Sequence, residues 1–531
     1  MSGPRDLGTL FDDLVERRVR TVVRLSRPLD VAPDYGTSYD LPALAALVRN
    51  LAGWLHAAGV RPGDRVAVVK PNHWDYVLLA CAAVRVGAVP ALLSDHVAPE
   101  ALQVLLKRLD PALLITTRSV LDNAREHGCD LLGHARQTLT LEGRYPGTIN
   151  IERLHGHEPP PPVHRDDDEP LVVNHTSGTT GVPKLVVHSN RTLVLGLAGA
   201  ESTRLPIVSS RKRDTVCSAI AYSHGRAIPW TASVLWLAPS EVVVIDSPDP
   251  VVAERVLRAY PPTTLEALPS TYVRWQPMAD QPSNPFRRVR LFISTFDAVH
   301  PPTVRAFLAA TRRRPVWAQV WGQTETGPMT FRFLTRRALA EREQRHPTTR
   351  DLGRPIPFRT RLRVVDPRTF EPVRRGTPGL VLIHTPTRCL DYLGEHDRWE
   401  AKLTGAWWNT GDLGVRTRTG SYLLLDREVD VLPGQSCVEL EDVLQDRVPQ
   451  VLECVVLPTP GRLPVPVVVT ADGALDPFSW QHALHDLPAL ADPVVVPWEQ
   501  IPRTGTGKVR RMELRTMITG GHDTFGTGRW T

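Results

Sequence analysis

The sequence predicts an α/β fold in two parts: a large N-terminal region of α/β subdomains plus a β-rich subdomain, then a small mobile α+β C-terminal domain. Three observations carry this. Helical spacing alternates with short β-branched runs through the first 110 residues, the rhythm changes to shorter strands and turns from 351, and 531 residues exceed what one ordinary core organises. The expected boundary separates 1–426 from 427–531.

Taken in order, residues 41–58 (LPALAALVRNLAGWLHAA) carry apolar side chains at helical spacing, and Gly59 suits the helix stop. RPGD makes a turn into RVAVVK (65–70), which reads as a short buried strand. A helix over 74–86 and a second strand, AVPALL, follow. HEPPPPVHRDDDEP (157–170) is proline-rich and then acidic, as an exposed connector into the strand LVVNH would be. The α/β pattern continues to about 330, RLRVVDP and GLVLIH then mark the β-rich part, and after YLLLD (422–426) the chain reads as a small α+β lid. No repeat at solenoid or propeller period is present.

Composition, at 42% hydrophobic and 23% charged, is that of a globular protein. No apolar run reaches the roughly 18 residues of a membrane span, and MSGPRDLGTLFDDLVERR lacks the apolar stretch of a signal peptide, so a cytoplasmic location without a membrane partner is expected. Six scattered cysteines with no C-x-x-C pair argue against a disulfide framework and a zinc site. The net charge of +6 comes without a basic tail or long stripe; it suits polyanionic small molecules, and no nucleic-acid partner is expected. Only six of the 63 basic residues are lysine, and two of them, Lys184 and Lys508, lie in the two most informative loops.

The first of those loops is Thr176-Ser177-Gly178-Thr179-Thr180-Gly181-Val182-Pro183-Lys184. Its glycines let backbone N–H groups turn toward an anion, and four hydroxyls and an ammonium add donors: a phosphate cradle, without Walker spacing. The string resembles the phosphate-loop signature of AMP-forming acyl-CoA synthetases, aryl-CoA ligases, luciferases and peptide-synthetase adenylation domains. Four further motifs follow in that family's order: WGQTETG (321–327), NTGD (409–412), DREVD (426–430) and PRTGTGK (502–508). The likeness covers nearly the whole chain.

The resemblance implies an adenylate-forming enzyme whose residues 1–426 bind ATP and a carboxylic acid, with 427–531 as lid. In that scheme Thr176, Ser177, Gly178, Thr179, Thr180, Gly181 and Lys184 hold phosphates, and Trp321 and Gly322 flank the nucleotide. Thr324 bonds the α-phosphate, and Glu325, completed by Thr176, binds Mg2+. Asp412 takes the ribose hydroxyls beside Arg427. Lys508 stabilises charge as the acid attacks and pyrophosphate leaves. His224, Arg226, Thr295, Phe296, Asp297 and Gln323 are the expected pocket residues.

Two departures from the family pattern stand out. The hinge, usually D-x-I-K-x-x-G-x-x-V-x-P-x-E-[IL]-E, is here Asp430 then VLPGQSCVELE, about four residues shorter and with Pro433 in the lysine's place. That loop serves thioester formation in CoA ligases, so the change bears on the second half-reaction. Where many relatives read S-G-G-A-P, this chain has Ser294-Thr295-Phe296-Asp297-Ala298. Added bulk and the charges of Asp297 and Arg226 favour a compact acid with a hydroxyl or amino group, unless both charges bond to the protein itself. CoA is the expected acceptor. A carrier-protein thiol acting in trans is one alternative, and an amine is another, including nitrite adenylated and passed to an aromatic amine. A non-catalytic nucleotide-binding homologue is argued against by the presence of Lys184, Glu325, Asp412 and Lys508.

Overall fold

Asp40 starts the first long helix: its carboxylate accepts the N–H of Ala43 at 2.8 Å, a proline stands in the first turn, and the helix runs Leu41–Ala57. Leu44, Val48, Leu51 and Leu55 bury one face, and Gly59 takes the left-handed φ of 85° that lets the chain turn away. The predicted strand 65–70 is found as Arg65–Lys70; the next helix is Asp75–Arg85 and the next strand Val89–Ser94. The computed structural model describes residues 3–176, 182–312, 314–340, 349–427, 436–459 and 462–520.

These residues form two compact units. The first holds those up to Glu266 together with Thr324–Gly327 and Pro386–Trp399; the second holds Ala267–Gln323, Pro328–Thr385 and those from Glu400 on. The main sheet of the first unit runs, edge to edge, Asp391–Tyr392, Leu185–Ser189, Pro170–His175, Val89–Ser94, Arg65–Lys70, Leu113–Thr116, Gln137–Thr140, Ile149–Asn150. Its interior pairs are parallel, whereas Leu185–Ser189 pairs antiparallel with both neighbours. Parallel strands are covered on both faces, which is why Ala67, Val68, Val69, Leu92, Leu114 and Ile115 are all fully buried. Lys70 ends its strand in this apolar setting, and the carboxylates of Asp30 (2.6 Å) and Asp75 (2.9 Å) neutralise it. A second set of strands in this unit places Val22–Leu25 and Thr215–Ala219 parallel on either side of Glu241–Val244.

In the second unit Leu291–Ser294 pairs parallel with Val316–Gln323 over a cluster of Tyr272, Phe286, Phe292, Phe307 and Trp317. Beyond 351 the expected β-rich part is found, its strands no shorter than those before it: Arg361–Val365, Pro378–His384, Trp407–Arg416 and Tyr422–Arg427 pair antiparallel in sequence. A three-stranded sheet (Val451–Leu457, Val465–Thr470, Val494–Val495) with helices Cys437–Arg447 and Arg511–Thr519 gives the C-terminal α+β part. All six cysteines are free thiols. No helix among the described residues is long and apolar enough to cross a membrane.

Candidate active site

The strand Pro170–His175 delivers Thr176, and Lys184 leads into Leu185–Ser189. Thr176 and Lys184 close the loop between them: the Thr176 N–H donates to the Lys184 carbonyl, and the Lys184 N–H donates to Thr176 Oγ1, each at 3.0 Å. Two hydrogen bonds thus clamp the ends of the predicted phosphate cradle. Ser177, Gly178, Thr179, Thr180 and Gly181 lie outside the described residues.

Thr324–Gly327, the tip between strands Val316–Gln323 and Gly327–Leu334, is held at three consecutive carbonyls. His188 Nε2–H donates to Thr324 O (2.8 Å), the Cys389 N–H to Glu325 O (2.7 Å), and Thr387 Oγ1 to Thr326 O (2.8 Å). Burial holds the His188 imidazole below its usual pKa, which keeps it a neutral donor. Gly327 has φ 69°, and a Cβ there would lie 2.7 Å from the Leu197 side chain. Thr324 Oγ1 lies 3.3 Å from His224 Nε2. Glu325 accepts the Tyr392 hydroxyl on Oε1 at 2.7 Å, and the Lys184 ammonium stands 5.2 Å from the centre of the Tyr392 ring. The first unit therefore assembles Thr176, Lys184, His224, Thr324 and Glu325.

Arg226 belongs to the same network, and its guanidinium bonds to the protein. Nε and Nη2 meet the two oxygens of Glu266 at 2.8 and 3.0 Å, and Nη1 meets Glu201 Oε1 at 2.5 Å. Burial alone would lower its pKa, but the two carboxylates outweigh that and hold it up, so it stays charged. Its backbone N–H donates to His224 Nδ1 at 3.1 Å, which ties the cluster to the Thr324 contact. Two carboxylates around one guanidinium leave a net negative charge, and Glu201 keeps 28% of its side chain exposed.

The second unit carries the remaining expected residues. Trp321, Gly322 and Gln323 end the strand Val316–Gln323. The Gln323 amide, expected in the pocket, donates instead to the Thr410 carbonyl (2.7 Å) and to Asp412 Oδ2 (3.1 Å). Asp412 is buried, pairs in register with Arg427, and is reached through Gly411 at φ 75°. Thr295 and Phe296 are half-buried; Asp297 is exposed, and its carboxylate accepts the neighbouring Ala298 N–H at 3.0 Å. Lys508 follows Gly507, whose φ is 74° and whose Cβ, if present, would stand 2.1 Å from Ser270 Oγ, so only glycine fits there. The turn is closed by the Thr504 N–H donating to the Lys508 carbonyl at 2.9 Å. Of the hinge, residues 428–435 lie outside the described residues.

Residues 26–393 match the AMP-binding enzyme family model. The chain belongs to that family. Among relatives of this AMP-binding enzyme, the 3-amino-2-hydroxy-4-methoxybenzoate diazotase of Streptomyces cremeus is 36% identical over 540 residues, covering 97% of this chain and 96% of its own length. A feruloyl-CoA synthase of an Amycolatopsis species is 27% identical over 501 residues, covering 90% and 94%. The fold matches the crystal structure of the anthranilate CoA ligase AuaEII in complex with anthranoyl-AMP, with a TM-score of 0.80 at 20% identity and 98% of both chains covered. The AMP-binding enzyme is thus adenylate-forming, and its α/β architecture is that of the adenylate-forming enzymes.

Members of the family use ATP with magnesium, and the donor set here fits that ion. Glu325 offers one hard carboxylate oxygen beyond the one that Tyr392 occupies. Among the described residues no cluster of three His, Cys, Asp or Glu side chains could cage a metal. A lone carboxylate suits magnesium, which takes its other ligands from phosphates and water.

Sequence reasoning missed His188, Tyr392, Glu201 and Glu266. Two of the four are polar residues inside buried strands, in LVVHS and TLEA, and that is the signal that could have found them.

Proposed function

We propose that this adenylate-forming enzyme activates nitrite with ATP and passes it to an aromatic amine, making it a diazotase. The observation that supports the reading best is 36% identity along 97% of the chain to a diazotase, against 27% to the CoA-forming relative. In the first step a nitrite oxygen bonds to the α-phosphorus and pyrophosphate leaves. In the second the amine nitrogen bonds to the nitroso nitrogen, AMP leaves with the bonding pair, and the amine releases a proton. The N-nitroso product then takes up a proton and loses water to give the diazonium.

In this reading Thr176 and Lys184 bind phosphates, Thr324 meets the α-phosphate, Glu325 ligates magnesium, and Asp412 with Arg427 takes the ribose. Magnesium, when bound, neutralises phosphate charge. The C-terminal residues 427–531 act as the lid that brings Lys508 to the departing pyrophosphate. The excess carboxylate of the Glu201–Arg226–Glu266 cluster accepts N–H donors and so suits an amine acceptor. Nitrite also needs no long tunnel, in keeping with Thr295, Phe296 and Asp297 in place of small residues.

The second reading keeps a carboxylic acid as substrate and CoA as acceptor, and the feruloyl-CoA synthase likeness favours it. The test is pyrophosphate release from a panel of aminohydroxybenzoates with ATP and magnesium, each with nitrite, with CoA, or with neither. Release that depends on nitrite, with a product that couples to a naphthylamine as an azo dye, is the expected result. Release that ignores nitrite and yields a CoA thioester would replace the first reading with the second.

A further inference from the structure

We propose that Tyr392 is a positioning residue for the adenylation step. Its hydroxyl fixes the carboxylate of Glu325 while its ring seats the ammonium of Lys184, so the metal ligand and the phosphate contact share one rigid support. The inference rests on the reading of Glu325 as magnesium ligand and Lys184 as phosphate contact.

Strand pairing sets the geometry. Tyr392 stands opposite Val186 in the antiparallel pair of Asp391–Tyr392 with Leu185–Ser189. That register puts it two residues along from Lys184 on one side and two from His188 on the other. One short strand therefore addresses both the exit of the phosphate loop and, through His188, the carbonyl of Thr324. Tyr392 is fully buried, so its ring has one place to be, and its hydroxyl meets Glu325 Oε1 at 2.7 Å. A phenol hydroxyl facing a carboxylate oxygen at that distance is the donor of the pair.

A glutamate side chain has three rotatable bonds, and a ligand that must find its orientation on each cycle binds a cation less well than one already aimed. Occupying Oε1 with a fixed donor selects one rotamer and leaves Oε2 for the ion. Outer partners of this kind typically change metal affinity 10- to 100-fold. The cation over the ring face is a separate interaction, made by the aromatic body and not by the hydroxyl. Two substitutions can therefore divide the roles: Tyr392→Phe removes the O–H and keeps the ring, and Tyr392→Leu removes both.

The experiment titrates Mn2+ by electron paramagnetic resonance into the full chain saturated with a non-hydrolysable ATP analogue, and measures analogue affinity separately without metal. Tyr392→Phe is expected to weaken Mn2+ about tenfold and leave metal-free nucleotide affinity unchanged, whereas Tyr392→Leu weakens both. In a Glu325→Gln background, Tyr392→Phe should cost nothing further, because its route to the metal is already gone. Unchanged Mn2+ affinity in Tyr392→Phe, or an equal loss in both backgrounds, would overturn the positioning role while leaving the metal reading intact. Wild-type Mn2+ affinity in Glu325→Gln alone would remove the metal reading, and the inference with it.

Discussion

At Phe296 a bulky residue holds φ at 82°, in the region that glycine occupies at little cost. Related sequences place glycines in this stretch, and the backbone conformation explains one reason why. The sequence announced the added bulk but not the strain, because strain depends on the turn after Leu291–Ser294 and not on residue type. A left-handed non-glycine residue costs about 1–2 kcal/mol. Phe296→Gly should release that while giving up a half-buried ring, leaving stability within about 1 kcal/mol of wild type. Its effect belongs to selectivity: kcat/KM for substrates bulkier by one ring substituent should rise relative to the smallest substrate. A uniform change across the panel would mean that Phe296 does not shape the pocket. Arg226 teaches the complementary lesson. Its sequence neighbours mark it as a pocket charge, but Glu201 and Glu266 are 25 and 40 residues away and only the fold shows that they saturate it.

Among elements, those with strong local signals were legible. The helix from Leu41 has its cap, proline and apolar stripe in sequence, and Arg65–Lys70 is an uninterrupted buried run. The two-residue strand Asp391–Tyr392 has no such signature and exists only because Leu185–Ser189 offers it an edge. Helix Cys437–Arg447 likewise gains a tertiary anchor that no local pattern reveals. Its buried Asp442 accepts the Thr349 N–H at 2.9 Å and lies 2.8 Å from His300 Nδ1. Burial pulls the His300 pKa down, but the hydrogen bond and charge of Asp442 outweigh it and leave it raised above 6.5. A raised folded value means that this contact's stability is fully present below the unfolded pKa of about 6.5 and is lost as pH climbs through the folded value. Thermal melts from about pH 6 to about pH 9 should show wild type exceeding His300→Gln most at the acid end and converging with it at the alkaline end. A gap independent of pH would mean that the imidazole contributes by packing alone.

For the whole molecule, ordered motifs made the activation chemistry readable from end to end, because each phosphate, ribose or cation contact demands its own residue type. What composition and order left open was the acceptor, for which no motif of fixed residue type stands in the chain. Lys508 tests the shared chemistry independently of that choice. Lys508→Ala should slow pyrophosphate release by about 10²–10³, the scale for one preorganised charge-stabilising group, with a smaller change in nucleotide affinity. Equal pyrophosphate rates for variant and wild type would remove Lys508 from the first step.

The discontinuity of the first unit also governs how the chain is made. Strand Leu185–Ser189 is synthesised long before Asp391–Tyr392, the segment that covers its outer edge. At roughly 5–20 residues per second, an emerging chain carries that open edge for on the order of ten seconds or more. An apolar strand with unpaired N–H and C=O groups invites pairing with a neighbouring chain for all that time. Ribosome-bound fragments ending before 386 should therefore aggregate more readily than fragments that extend past Tyr392, which sedimentation of the two sets compares.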